Sequence, residues 1–273
     1  MQNLLIDMRY IVDNDLHIHT LLSLCSDDPE QTPERILQYA KENGLKTICI
    51  ADHFWDERVE GENGWYRPQN FERICKSLPL PKADGIRFLF GAETELKYDL
   101  TLGISQESME KLDFIIIPTT HLHVKNFTIT ESEGATTKGR ANAWVRRLEA
   151  VLNMDLPFHK IGIPHLTTLL NSGERTAEKT AEILNLISDT DLVRLFTLAA
   201  KLGVGIEING GTFALAGEYL DDFLRIYRTA KDCGCKFYFA SDAHHPDNLD
   251  TIKELNEKAV DLLGLTEDDK FII

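Results

Sequence analysis

Short apolar runs alternate along this chain with longer stretches in which apolar positions recur every three to four residues. The short runs fall at 10–18, 46–52, 86–93, 113–119, 160–165, 204–209 and 236–241. They are rich in Ile, Val, Phe and Tyr, and their length and content predict strands. The stretches between them predict helices. Thr32-Pro33-Glu34 reads as an N-cap, a first-position proline and a first-turn acid, and Gly44 as the stop. Further helical periods cover 68–78, 105–112, 141–153, 176–187, 189–201, 218–234 and 249–263, with Gly203 and Gly234 as stops. Strands alternating with helices imply a parallel sheet covered by helices. Seven such repeats suit a barrel or a large doubly wound sheet. No Gly-x-Gly-x-x-Gly follows the first run, which removes the main signal for a dinucleotide-binding fold. Residues 54–69 and 123–140 read as long irregular loops, which in compact domains are commonly lids or binding loops.

The polar residues that close the strands change the picture. The first run ends in His17 and His19, the second in Asp52 and His53, and the third in Glu93. The fourth runs into His121 and the fifth into His165; the sixth carries Glu207 and Asn209, and the seventh runs into Asp242 and His244. Active sites of parallel α/β folds are built at this C-terminal edge. His-x-His and Asp-x-His share the period-two spacing that points both side chains to one face of a strand. Imidazoles and carboxylates without thiolates suit Zn²⁺, Mn²⁺ or Fe. The set is too large for one tetrahedral ion and fits two or three ions sharing a carboxylate, for which Glu93 is the candidate.

Composition narrows the class. Of 273 residues 43% are hydrophobic and 27% charged, enough apolar content for a sizeable core in one domain spanning 1–273. No apolar run reaches the roughly 18 residues of a membrane span, and the N-terminal run MQNLLIDMRYIVDND lacks a leader pattern, so a cytoplasmic protein is expected. A net charge of −15 disfavours a nucleic-acid partner. The five cysteines include no Cys-x-x-Cys pair, and Cys49 and Cys75 read as small core residues.

In DLHIHT at 15–20, GLKTICIADH at 44–53, GAETEL at 91–96, His121, the PH pair at 164–165, EIN at 207–209 and SDAH at 241–244, the chain resembles the PHP (polymerase and histidinol phosphatase) family of phosphoesterases. The resemblance implies a distorted seven-stranded (β/α)7 TIM-like barrel and a trinuclear metal centre. It makes His17, His19, Glu93 and Asp242 ligands of one ion, with Glu93 bridging, and draws the other ligands from His53, His121, His165, His244 and a residue soon after His19. Many members place a histidine or aspartate there; LLSLCSDDP offers Cys25, Asp27 and Asp28, and Asp27 is favoured because it keeps the ligands hard or borderline. Asp15 and Asp52, which precede ligand histidines, are expected to hold their rings.

The implied activity is hydrolysis of a small phosphomonoester, histidinol-phosphate-like, by water activated between the ions. Glu93, Asp242 and His244 carry the chemistry, His244 as a proton donor to the leaving group. Arg67, Lys138 and Arg140 in the loops, with His123, are expected to bind the phosphate-bearing substrate. The alternatives are a phosphodiesterase or 3′-exonuclease of the same family and an amidohydrolase. The latter needs eight strands and commonly a lysine where this chain has His121.

Overall fold

The computed structural model describes residues 8–273, so the first seven residues of the run read above for a leader lie outside it. Seven parallel strands pair in chain order: β1 (Asn14–Ile18), β2 (Thr47–Ile50), β3 (Arg87–Glu93), β4 (Phe114–Ile116), β5 (Ile161–Ile163), β6 (Gly205–Ile208) and β7 (Lys236–Phe239). The sheet comes round on itself beyond β1 and β7, where Ile18 bridges Ala243 in parallel, His19 N donates to Ala243 O at 3.0 Å and Asp242 N to His17 O at 2.8 Å. This is the expected distorted (β/α)7 barrel, and every predicted strand is present.

Alternation sorts the strand residues into two layers. Ile48, Ile50, Ile115, Ile161, Ile163, Ile206, Ile208, Phe237 and Phe239 pack outward against the helices. Cys49, Leu89, Phe114, Ile116 and Tyr238 fill the interior, and Phe271 from the C-terminal segment joins them. Glycine on β5 makes room for this interior. A Cβ on Gly162 would stand 2.4 Å from the Tyr238 hydroxyl, so only glycine lets that ring cross the barrel. The barrel is thus plugged by side chains at the level of the strands, and a cavity opens above their C-terminal ends.

β1 departs from simple alternation. Leu16 packs inside the barrel while Ile18 packs outside, and the pairing with β2 slips between Asp15 and Ile18. A bulge of this kind re-aims side chains near a strand end, and here His17 and His19 stand above the Leu16 layer.

The helices follow their caps. Thr32 Oγ1 accepts from Arg35 N at 3.2 Å to open Pro33–Glu42. Gly203, at φ 73°, ends Asp189–Leu202 in the left-handed conformation. Two readings are corrected. The period at 68–78 gives only Phe71–Ile74 followed by a 3-10 turn. The second irregular loop is shorter than expected, because Glu131–Gly134 and Thr137–Leu152 are helical, each opened by a threonine cap. Lys138 and Arg140 therefore sit in the first turn of a helix.

Candidate metal centre

His17, His19, His53, Glu93, His121, His165, Asp242 and His244 gather above the barrel, where five of them line a cavity of about 470 Å³. Five of the six rings are held from behind. His17 Nδ1 donates to Glu207 Oε2 at 2.8 Å, and His121 Nδ1 to Glu95 Oε2 at 2.7 Å. His244 Nδ1 donates to the Asp242 carbonyl at 2.9 Å. The Ser23 hydroxyl donates to Asp52, so it accepts from His19 Nδ1 at 2.9 Å. The Thr120 hydroxyl donates to the His165 carbonyl and accepts from His165 Nδ1 at 2.9 Å.

These five acceptors fix five tautomers. Each ring carries its proton on Nδ1 and turns the bare Nε2 inward. The consequence is a set of lone pairs facing one another: His17 Nε2 is 3.0 Å from His19 Nε2, and His244 Nε2 is 3.5 Å from His53 Nε2. His165 Nε2 faces Glu93 Oε1 at 3.3 Å. His53 Nδ1 and Glu93 Oε2 lie 2.8 Å apart, yet both are buried without a hydrogen-bond partner. Lone pairs at these separations repel unless a cation lies among them. The donor set of imidazole nitrogen and carboxylate oxygen is the one that divalent zinc, manganese or iron takes.

Glu93 stands between two groups. Its Oε1 faces His165 at 3.3 Å and His121 at 3.8 Å; its Oε2 faces His19 at 3.5 Å and His17 at 3.6 Å as well as His53. The ligand atoms fall into three groups, two of which share His19: His17, His19 and Asp242; His19, His53 and His244; and Glu93, His121 and His165. Two of these residues sit in strained backbone, His165 at φ 33° and Asp242 at φ 53°. Both close a strand, and the left-handed turn aims the side chain into the cavity.

The electrostatics call for positive charge. Burial alone would raise the Glu93 carboxyl, but His53 and His17 hold it well below the ordinary range. Burial would lower His17, but Glu207, Asp242 and Glu93 outweigh it and raise its pKa well above the usual value.

The residue after His19 falls otherwise than the sequence suggested. Asp27 is exposed and does not line the cavity, and Asp28 pairs with His245 Nε2 at 2.8 Å. Cys25 lines it beside His53 and His244, whose contacts overcome the effect of burial and bring the thiol down to about 7. His123 reaches the cavity, its ring edge-on to His121 at 5.4 Å, with Nδ1 buried and unpartnered.

The three cations expected to bind substrate are not brought there. Arg67 is exposed and pairs with Glu62 at 3.1 Å, and Lys138 is exposed on its helix. Arg140 is buried with its guanidinium given to the carbonyls of Leu122, Gly134 and Asn171.

Other residues were not singled out from the sequence for what they do here. Glu207 holds His17, accepts from His165 N at 3.1 Å and takes the Tyr238 hydroxyl at 3.3 Å. Glu95 holds His121 and pairs with the fully buried Arg147 at 3.3 Å. The signals were EIN at 207–209, where the acid shares a face with Asn209, and GAETEL at 91–96, where a second acid shares the face of Glu93. Asp52 acts on His19 only through Ser23. Asp15 holds no ring and accepts from Ser241 N at 3.0 Å and the Tyr39 hydroxyl at 3.1 Å.

Comparison with known proteins agrees with this architecture. A probable phosphatase of Caldicellulosiruptor bescii is 21% identical over 90% of this chain and 85% of its own length. One of Caldicellulosiruptor saccharolyticus is 22% identical over 86% and 81%. Among solved structures, the histidinol phosphate phosphatase of Lactococcus lactis subsp. lactis, complexed with zinc, L-histidinol and phosphate, superposes with a TM-score of 0.57 at 14% identity, covering 97% of this chain and all of that one. The putative histidinol phosphatase of Listeria monocytogenes gives 0.59 at 14% identity over 87% and 97%. The PHP domain model matches residues 15–210, from the aspartate before His17 to the residue after Asn209, and the chain therefore belongs to the PHP domain family.

Proposed function

We propose that this PHP-family enzyme is a phosphatase that hydrolyses small phosphomonoesters at a centre of two to three divalent ions, three being the number the ligand groups suit. One observation carries the reading: five imidazoles tied at Nδ1 turn their bare Nε2 atoms inward, and four of them, His17, His19, His121 and His165, face one buried carboxylate, Glu93. The names of the Caldicellulosiruptor relatives and the zinc, phosphate and L-histidinol of the Lactococcus lactis structure support it.

His17, His19 and Asp242 would hold one ion, Glu93, His121 and His165 a second, and His53 and His244 with His19 a third. Ions so held supply Lewis acidity to the phosphoryl oxygens and lower the pKa of coordinated water from about 16 towards 7. The chain's own part is positional. Glu93 faces two of the groups at once and offsets the repulsion between their charges. Asp242 and His244 close the opposite wall. His123, outside the three groups, lines the cavity beside them. Among the described residues no lysine or arginine lines the cavity, so neutralising a phosphate dianion falls to the ions.

Elemental analysis of purified protein, paired with a phosphatase screen over phosphorylated metabolites, tests this. Two or three transition-metal ions per chain and turnover lost to a chelator are expected. One ion or fewer after metal supplementation, or activity that survives chelation, would remove the multinuclear reading.

A further inference from the structure

We infer that the leaving group this site accepts is neutral and flat, such as an aromatic alcohol, rather than an amino alcohol carrying an ammonium; the inference rests on the phosphatase reading above. Beyond the ligand groups, Cys25 and Glu95, the cavity wall is made by Trp65, Tyr66, Val124 and Leu170 with two polar side chains, Asn63 and His123. Trp65 stands at the mouth, 39% exposed, and its ring is fixed edge-on against His53 at 5.1 Å and Tyr66 at 4.8 Å. A ring fixed this way offers a stacking face at little entropic cost.

The charges of the wall are already committed. Glu93 and Asp242 belong to the ligand groups, and the remaining lining acid, Glu95, takes His121, Arg147 and the Tyr66 hydroxyl. An ammonium on the leaving group would shed water against Trp65, Val124 and Leu170 and find no free carboxylate. A cation–π contact with an exposed ring is weak beside those costs. The polar groups left for the leaving group are the Asn63 side chain, whose Oδ1 accepts from Trp65 N and Tyr66 N, and the His123 ring, and both suit a hydroxyl or a ring N–H.

The test uses the metal-loaded enzyme and two primary alkyl esters of differing charge, 2-phenylethyl phosphate and 2-aminoethyl phosphate. kcat/KM for the phenylethyl ester should exceed that for the aminoethyl ester by about tenfold or more. Trp65→Ala and Leu170→Ala should each pull that ratio towards one, mainly through KM, and Trp65→Phe should restore most of it. Thermal melts of the variants identify any that fail to fold. Hydrolysis of both esters with a ratio of one or less, or a ratio that neither alanine variant moves, overturns this inference and leaves the phosphatase reading standing. Hydrolysis of neither ester overturns both.

Discussion

The strand ends and the segments above them make opposite use of their polar residues. At the ends of β1, β3, β4 and β5, histidines and acids are buried and turned towards a common space, which Asp242 and His244, half-buried after β7, complete. Above them, Arg67 in its loop and Lys138 on the helix Thr137–Leu152 stay in solvent, while Arg140 and Arg147 of the same helix spend their guanidinium groups on backbone carbonyls. The strand ends present chemistry, and the two helix arginines hold the shape of the loops beside the cavity. Polar residues therefore do different work according to what their surroundings leave unpaired. A strand end that faces a common space gathers its side chains there, whereas a long side chain beside irregular segments goes where unpaired backbone needs a donor.

The largest effect should come from the centre of the strand-end set. Glu93→Ala is expected to cost roughly 10³-fold or more in kcat/KM and to release at least one ion, because its two oxygens face different ligand groups. Circular dichroism should show a folded chain. Normal turnover in this variant would move the chemistry away from the cluster.

Arg147→Ala tests the other half of the comparison. The guanidinium donates to the carbonyls of Thr119 and Thr128 at 2.8 and 2.7 Å and pairs with Glu95. Its removal strands a buried carboxylate, so a loss of about 3–5 kcal/mol is expected in denaturant unfolding. A change under about 1 kcal/mol would show that the pair is dispensable to the loop.

Glu207→Gln should lie next in size. The amide keeps the shape but removes the anion behind His17, and metal affinity should fall by about 10–100-fold in a chelator competition. Unchanged affinity would mean that Glu207 orients the ring without strengthening it.

Between the two candidates after His19, Cys25→Ser is expected to lose more metal than Asp27→Asn, since Cys25 lines the cavity and Asp27 does not. Cobalt-loaded protein gives an independent readout: a thiolate-to-cobalt charge-transfer band should be present in wild type and absent from Cys25→Ser. No such band in wild type would leave Cys25 a cavity residue only.

The smallest effects belong to the exposed cations. Arg67→Ala and Lys138→Ala should change kcat/KM by less than about twofold, as exposed pairs and free surface charges usually do. A hundredfold loss in either would mean that the loop closes over substrate and would restore the reading of these residues as phosphate donors.

Much of the centre was legible before any fold was seen. Period-two spacing placed His17 with His19 and Asp242 with His244, and the parallel α/β pattern placed both pairs at one edge. What surrounds the ligands was not legible. The Ser23, Thr120 and Glu207 contacts join residues that are far apart in sequence or separated by a turn, and nothing in the local pattern distinguishes Ser23 from any loop serine. Cys25 was passed over on ligand softness, an argument about chemistry that cannot see which side of a turn faces the cavity.

By itself, then, the sequence determined the alternation of strands and helices and the residues that close each strand. Those depend on backbone period and on which faces are apolar, and both are written locally. The β1 bulge and the left-handed turns at His165 and Asp242, which aim four of the closing residues, belong to the tertiary structure. The tertiary structure alone decided that β1 and β7 meet and that Glu93 stands between separate groups of nitrogens. It alone turned Arg140 and Arg147, on the helix Thr137–Leu152, to the carbonyls of neighbouring loops. These outcomes depend on closure of the barrel and on satisfying buried backbone groups, and each of those conditions involves residues from several strands and loops at once.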